Sequence, residues 1–569
     1  MRFLILLISL MFASPFCAKS EEAPVSPDIH VDQIGYLPSV NKIAFVSSPT
    51  GQPFKLLYAK TGKAAMKGML SLEAAYDKAS GSHIWAADFS VIGATGEYML
   101  EVPGLGRSYS FRIDDGLYSQ AALVAMKSFY FQRYGVGLAK PFAGPWAQKT
   151  PQPAEEIVHS STEPEAAPIG IVGGWHDGGD NGRYAVNGSF AAGMLMLLHE
   201  ISPQSFGDRS LNIPESGNGV PDILDETRWE IAWLLQMQDE SGGVHHKLTP
   251  NEWIKTSPAA KEKEKLILFP ISTAATAGAS AVWAKAARLY SPYDATFAAE
   301  CLAAAQKAWK FLEIHPNDGG FNNPDGAITK TYNDKDDSDE RFWAAVELYR
   351  ATEDARFLDV LRVMGEKRAP FLSASGYWGN VMPLAAAEML CAAKDKFEAK
   401  MADEIVRDLL SLADSFVEKS QCEGYRQSIQ PGEYTWGSNA VLLQNAFILC
   451  LANRIQPKEK YRRTLMDQWH YILGRNPLSR CFVTSLGSLS PQKPHHPLSM
   501  TDKVEEPIPG LLVGGPNQFL NDTILKNTFL IEAPPAVEYI DSEESFASNE
   551  VSISWNAVLT FVAASIAFF

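Results

Sequence analysis

Cysteine is scarce in this chain, with six in 569 residues. Cys17 lies in an apolar N-terminal stretch, and the others are Cys301, Cys391, Cys422, Cys450 and Cys481. That leaves an odd number, with no CxxC pair. Cys301, Cys391 and Cys450 sit in Ala/Leu-rich helical patterns, so buried free thiols are expected instead of a disulfide framework or a thiolate zinc site. Positive charge is also in deficit: 50 Lys and Arg face 66 Asp and Glu, for a net charge of −16. Nucleic acid and anionic membrane surfaces would be repelled by that field, whereas a neutral sugar polymer would not. Long apolar runs are missing beyond the N-terminus. The apolar stretch 557–569 covers 13 residues, short of the roughly 20 a membrane span needs, and reads as a last buried helix. No internal repeat and no low-complexity linker occurs.

What is present begins with MRFLILLISLMFASPFCAKSEE. Arg2 followed by the apolar residues 3–13 and then small residues reads as a signal peptide, residues 1–18, implying a secreted or periplasmic protein. Phe16 is bulky for the −3 position of a cut after Ala18, and the surroundings of Cys17 match a lipobox poorly. Hydrophobic and charged shares of 46% and 20% are globular values, enough for a large core.

Two kinds of pattern follow. Over 27–114, short apolar-alternating segments such as Lys42-Ile-Ala-Phe-Val-Ser47, His83-Ile-Trp-Ala-Ala-Asp-Phe89 and Tyr98-Met-Leu-Glu-Val102 are separated by Gly, Pro, Ser and Asp. They predict a small antiparallel sandwich. Over 115–569 the period becomes helical, with starts near 115, 188, 222, 272, 295, 339, 355, 382, 400, 438, 459 and 549. Several of these helices, such as 223–237 and 439–451, are apolar on nearly every face, which two concentric layers of helices would bury. The connections 143–187, 312–338 and 475–548 are long, and long structured loops in compact domains are usually functional.

Three loop segments could carry chemistry. In Gly173-Gly-Trp-His-Asp-Gly-Gly-Asp180, Asp177 and Asp180 stand three apart across glycines that let the backbone approach a ligand. A plain Gly-Asp turn or a Ca²⁺ loop is the competing reading. Glu550 is expected to open the last helix behind Asn549 or Ser548, where pairing with the helix dipole would by itself explain an acid. Pro494-His-His-Pro497 could orient a substrate, bind a metal, or be a solvated histidine pair.

Together these segments resemble glycoside hydrolase family 9, the family of many endoglucanases, in the subgroup with an N-terminal immunoglobulin-like domain. His30-Val-Asp-Gln-Ile-Gly-Tyr36 is similar to the opening of that domain, and the segment ending at Asp180 to the family's Asp-Ala-Gly-Asp motif. Pro221-Asp-Ile-Leu-Asp-Glu226, Asp339-Glu-Arg-Phe-Trp-Ala-Ala345, Tyr434-Thr-Trp-Gly-Ser-Asn439, Leu473-Gly-Arg-Asn-Pro477 and Gly514-Gly-Pro-Asn517 match further motifs in order. Tyr539, Asp541, Phe546, Glu550, Ser552, Asn556 and Ala557 fit every position of its acid signature. The resemblance implies an all-α (α/α)6 barrel preceded by a small all-β sandwich. It implies inverting hydrolysis of β-1,4-glucan bonds, with Asp180 as base, Asp177 helping to hold the water and Glu550 as acid. Asp541 and His495 fall on the other active-site positions, and His176, His496, Trp343, Tyr434, Trp436 and Arg475 on the substrate side. Inversion needs two carboxyls about 6.5–9.5 Å apart, one ionised and one protonated. Asp541, Asp177 and Asp180 are expected to hold the proton on Glu550 against the helix dipole.

The chain departs from the family around His495. Cys481 and Leu489 stand at positions where other residues are usual, and Pro497 replaces an arginine whose planar fork of donors would meet sugar hydroxyls. Gly178 replaces alanine. An exo-acting β-glucosidase, cellodextrinase or glucosaminidase therefore stands beside the endoglucanase, and a non-catalytic carbohydrate-binding scaffold behind both. No cofactor is required. Ca²⁺ at residues 333–340 competes with simple capping of a helix by Asp339 and Glu340. The partner is a poly- or oligosaccharide, and a monomer is expected.

Overall fold

The computed structural model describes residues 23–149, 157–159, 170–180, 182–252, 266–368, 370–501, 504–530 and 532–568. The expected signal peptide, 1–18, lies outside the described residues.

Ten strands form the sandwich: β1 Ile29–His30, β2 Gly35–Tyr36, β3 Ile43–Ser47, β4 Pro53–Tyr58, β5 Ala64–Met69, β6 Ser71–Asp77, β7 Ser82–Asp88, β8 Gly96–Val102, β9 Gly106–Arg107 and β10 Phe111–Ile113. One sheet runs β1-β3-β7-β6 and the other β2-β10-β8-β4-β5, with β9 beside β8. The segment of β5 and β6, which places one strand in each sheet, was not foreseen. Its sequence, AAMKGM then SLEAAYD, has few β-branched residues and is largely exposed, so little alternation marks it.

Alternation along β3 and β7 shows why the two parts are fused. Ala44, Val46 and Ala87 point into the sandwich core with Phe54, Leu56, Tyr98 and Phe111. Phe45, Ile84 and Ala86, on the opposite face, join the core of the helical part. A sheet apolar on both faces must be covered on both.

Among the described residues, twelve of the helices build the barrel: α1 Leu117–Phe131, α2 Ala185–Ile201, α3 Asp222–Gln236, α4 Thr273–Tyr290, α5 Ala295–Ile314, α6 Ser338–Thr352, α7 Arg356–Glu366, α8 Met382–Ala387, α9 Ala399–Cys422, α10 Ser438–Ile455, α11 Glu459–Ile472 and α12 Ile553–Phe568. Even-numbered helices form an inner ring in which α2 packs on α4, α4 on α6, α6 on α8, α10 on α12 and α12 on α2. A π-helical turn, Glu388–Ala392, extends α8 and packs on α10, completing the circle. α2 and α10 are buried along almost their whole length, whereas outer α7 buries only Phe357 and Leu361. This is an (α/α)6 barrel, with no described helix long and apolar enough to cross a membrane.

Every inner helix starts at the same face of the ring, so the loops preceding them converge there. The other end is closed by a charge network. Lys285 and Arg350 both bond Glu388, Arg288 bonds Glu200 at 2.8 Å and Glu347 at 2.7 Å, and Arg350 also reaches Glu347 at 3.2 Å. Three cations meet three carboxylates there. One expectation fails at the open face. The last helix begins at Ile553, not 549, because Glu550 is extended (φ −68°, ψ 158°) and residues 550–552 bridge to neighbouring loops.

Candidate active site

The turn before α2 carries two carboxylates in different surroundings. Asp177 N–H bonds Gly182 O at 2.9 Å, closing the turn. The buried Asp177 carboxylate accepts from Asn187 Nδ2 at 2.9 Å on both oxygens, from Tyr332 OH at 2.5 Å and from Ser552 Oγ at 3.1 Å. Burial, and then the charge of Asp180, push it up to about 7 against those donors. Asp180 is half-buried and accepts from Tyr184 OH and from Gly182 N–H at 2.9 Å. Burial raises its pKa, while these two donors and the Lys247 charge pull it down.

Glu550 faces this turn. The bridges Gly178–Ser552 and His495–Glu550 tie its segment to both flanking loops, and Trp436 Nε1–H donates to Glu550 Oε2 at 3.0 Å. Burial first, then the charges of Asp180 and Asp177, push Glu550 up to about 8; Lys330 and the Trp436 donor oppose them. The helix-dipole effect expected on Glu550 does not arise, because Glu550 precedes α12 by three residues. The packing is close. A methyl on Gly179 would lie 2.2 Å from the His495 ring and 3.0 Å from Glu550 Oε1, and one on Gly178 would lie 2.4 Å from Val551 O. Glycine at 178 therefore lets the segment of Glu550 sit directly on the turn.

His495 is half-exposed. Its Nδ1 is 2.5 Å from Glu543 O, which can only accept, so Nδ1 carries hydrogen and Nε2 is left to face Gly179. Asp541 is engaged with this loop: it pairs with Arg480 at 3.0 Å and accepts from Gln492 N–H, Lys493 N–H and Asn549 Nδ2. The charges that weigh most on Glu550 are those of Asp180, Asp177 and Lys330, so the expectation that Asp541 is a main tuner of Glu550 is corrected to Asp177 and Asp180 alone among the aspartates named. Pro497 begins a helical turn, Pro497–Thr501, a position suited to its fixed φ.

Among the expected substrate-side residues, Trp436 stands at the open face, half-exposed beside Glu550. His176 and His496 are buried together around Gln132: His176 N–H bonds its carbonyl at 2.8 Å and the His496 ring its side chain at 3.1 Å. Three others are turned away. Trp343 is wholly buried against Gly193 in the barrel core. Tyr434 is buried, its hydroxyl accepting from Gln427 at 3.2 Å. Arg475 is held by Asp467 at 2.5 Å and lies 4.7 Å from the Phe45 ring at the domain junction. Matching a motif does not aim a side chain at the ligand.

Sequence reasoning missed Tyr332, Tyr184, Asn187, Lys247, Lys330 and Trp378. Tyr184 and Tyr332 meet edge to face at 4.7 Å, and Tyr332 meets Trp378 at 4.9 Å, forming an aromatic wall beside the aspartates. Trp436 and Phe546, 5.4 Å apart, form another beside Glu550. Tyr332 has φ +42°, a strained conformation of the kind that gathers at active sites. No spacing in the sequence singles it out.

Below the same loop, Asp334, Asp339 and Glu340 bring carboxylate oxygens within 4.8 Å of one another. Among the described residues, neither Glu340 oxygen finds an N–H or hydroxyl donor, nor does Asp334 Oδ2. Burial pushes Asp334 up to about 6 and Glu340 well above the usual carboxylate range. The donor set is all oxygen, as a hard cation requires.

Comparison with known proteins bears on the same residues. The cellulase N-terminal ig-like domain matches residues 25–107. A xyloglucan-specific endo-beta-1,4-glucanase from Bacteroides ovatus is 34% identical over 570 residues, covering 97% of this chain and 95% of the relative. A cellodextrinase from Butyrivibrio fibrisolvens is 31% identical, covering 94% and 99%. The crystal structure of a metagenome-derived glycoside hydrolase family 9 endoglucanase superposes with a TM-score of 0.88 at 34% identity, covering 95% of this chain and 99% of that one. With glycosyl hydrolase family 9 matching residues 118–563 across the whole barrel, the chain belongs to that family and is an inverting, endoglucanase-like hydrolase of β-1,4-glucans.

Proposed function

We propose that Asp180 is the general base, that Asp177 helps hold the attacking water, and that Glu550 is the general acid. One observation carries this: of three mutually repelling carboxyls, Glu550 is pushed up to about 8, while Asp180 has two donors and a cation that favour its anion. That split suits a base and an acid working at one pH. Asp180→Asn and Glu550→Gln test it. Glu550→Gln should keep activity on aryl glycosides whose leaving group needs no proton, and Asp180→Asn should be rescued by azide to an inverted glycosyl azide. Rescue of the other variant instead would reverse the roles.

We further propose endo action on a neutral glucan. Lys330 Nζ lies 5.1 Å from the Trp436 ring and acts on Glu550, so a cationic amino sugar would meet a cation beside the acid. Viscosity should fall faster than reducing ends appear on a soluble glucan; parallel curves would favour the exo reading. The intact three carboxyls weigh against a non-catalytic scaffold. Secretion or periplasmic residence is proposed from the apolar stretch 3–13 that follows Arg2, and the enzyme is taken as a monomer. Asp334, Asp339 and Glu340 would hold a structural Ca²⁺, so chelation should lower Tm and added Ca²⁺ restore it; an unchanged Tm would leave helix capping as their role.

A further inference from the structure

Beneath the open face, the strand Lys247–Thr249 runs antiparallel to Arg183–Tyr184, placing Lys247 opposite Tyr184. From there, neighbouring side chains grip the loop before α6. His246 Nε2 bonds Thr331 O at 2.7 Å, and the Thr249 and Thr329 hydroxyls meet at 3.0 Å. Between them the Lys247 ammonium donates to Thr329 O at 3.2 Å, Thr329 Oγ1 at 3.0 Å and Lys330 O at 2.8 Å. Its three N–H groups thus meet neutral oxygens. The side chain is wholly buried, with Nζ 4.3 Å from the Phe269 ring and 5.8 Å from the rings of Phe321 and Tyr184.

A buried ammonium bonded to neutral oxygens is expensive, and a satisfied amide or hydroxyl could hold the loop at less cost. The charge itself therefore calls for a use. Asp180 is the carboxylate that acts on Lys247, and Lys247 the cation that acts on Asp180. The ladder pairing Lys247 with Tyr184, whose hydroxyl bonds Asp180, fixes the cation relative to that carboxylate. The gripped loop presents its alternate side chains to the catalytic groups: Lys330 toward Trp436 and Tyr332 onto Asp177.

We propose that Lys247 is a positioning residue of the reaction: its buried ammonium ties down the loop that presents Lys330 and Tyr332, and keeps the negative charge of the carboxylate cluster on Asp180. The role rests on Asp180 being the base. The groups around Asp180 are Tyr184, the Gly182 N–H and Lys247, with Asp177, Tyr332 and Glu550 coupled to it through charge. The two lysines divide the work, Lys247 beneath the loop acting on the base and Lys330 above it acting on the acid. Burial already draws Lys247 down to about 7, so its charge is present on the acid side of neutrality, where the base must stay ionised.

The test is the pH dependence of kcat/KM on a soluble β-glucan for Lys247→Met, Lys247→Arg and Thr329→Val. Without the cation, Asp180 holds its proton to higher pH, so Lys247→Met should move the acid limb up by about half to one pH unit, with kcat lower and KM within about twofold. Lys247→Arg should keep the limb in place. Thr329→Val, which loosens the grip and leaves the charge, should lower kcat without moving the limb. A folded Lys247→Met enzyme with an unmoved acid limb would overturn the proposal. Coupling is reciprocal, so a second measurement needs no change at Lys247. Nitrogen-15 NMR of the lysine ammonium groups should show two lysines drawn well down by burial, Lys127 to about 8 and Lys247 to about 7, and the lower of them moving lower still in Asp180→Asn. If no lysine responds, the proposal fails even where Lys247→Met does not fold. Asp180→Asn with undiminished hydrolysis would instead overturn the assignment of the base.

Discussion

Gly179→Ala is the sharpest probe of how the site is assembled. Gly179 is not in the left-handed region, so an alanine meets no backbone penalty and the whole effect is steric. Its new methyl would lie 2.2 Å from His495 Cδ2, 2.7 Å from His495 Nε2 and 3.0 Å from Glu550 Oε1. Restoring ordinary carbon contact near 3.5 Å requires the ring to retreat by about 1.3 Å. His495 is half-exposed and can move toward solvent, but its backbone bridges Glu550, so Glu550 is carried with it. Displacement of about 1 Å at reacting groups costs on the order of 10²-fold in rate, or about 2.7 kcal/mol of barrier. The expected result is a kcat lower by about 10²-fold, KM altered by less than about threefold, and stability reduced by at most about 1–3 kcal/mol. Steady-state kinetics on a soluble β-glucan and thermal unfolding would read both, with Gly207→Ala, where a methyl meets open space, as control. A Gly179→Ala enzyme with near wild-type kcat would show that the contact between turn, histidine and acid does not set the geometry.

On the proposal that Glu550 is the acid, it must be protonated to act, and burial and its neighbours push it up to about 8, so kcat/KM should fall as pH rises through about 8. Lys330→Met, by removing a cation that favours ionised Glu550, should carry that alkaline limb upward, an effect that shrinks with added salt. Tyr332→Phe removes a donor at 2.5 Å from Asp177. A lost hydrogen bond to a charged group is worth about 1.5–3 kcal/mol, so kcat should fall about 10- to 100-fold, with the acid limb moving up as Asp177 becomes a weaker acid. Lys285→Met at the closed end leaves buried Glu388 without one of its two cations. It should cost about 3–5 kcal/mol of stability and lower Tm while kcat at 25 °C holds.

Helices were legible where tertiary context and local pattern agree. The starts expected at 222, 295, 382, 438 and 459 match the structure to the residue, because apolar periodicity begins there; of the five, the start at 295 also has a side-chain cap, Asp294 accepting from Phe297 N–H. The start at 549 was misplaced, since a helix-compatible sequence is held extended by bridges to loops remote in the chain, a long-range effect that local reading cannot see. The carboxylates of the turn could be suspected from their glycines. Trp343 and Arg475, by contrast, were named from motifs, and motifs do not say which way a side chain turns: Trp343 fills the core and Arg475 pairs with Asp467. Tyr332 and Lys247 carry no motif in the reading, and their importance lies in a contact made only after the loop before α6 folds over the strand before α4.

The carboxylate pair is joined by the last step of ring closure. Asp177 precedes the first inner helix and Ser552, which bonds it from 375 positions away, immediately precedes α12, the helix that closes the circle. A chain emerging from the ribosome or through a membrane pore in N-to-C order therefore carries Asp177 and Asp180 without Glu550 and Ser552 opposite them until α12 slots between α10 and α2. Hydrolytic activity is then a report on completed topology: a barrel that lacks its final helix, or holds it out of place, is silent however well the remaining helices have folded.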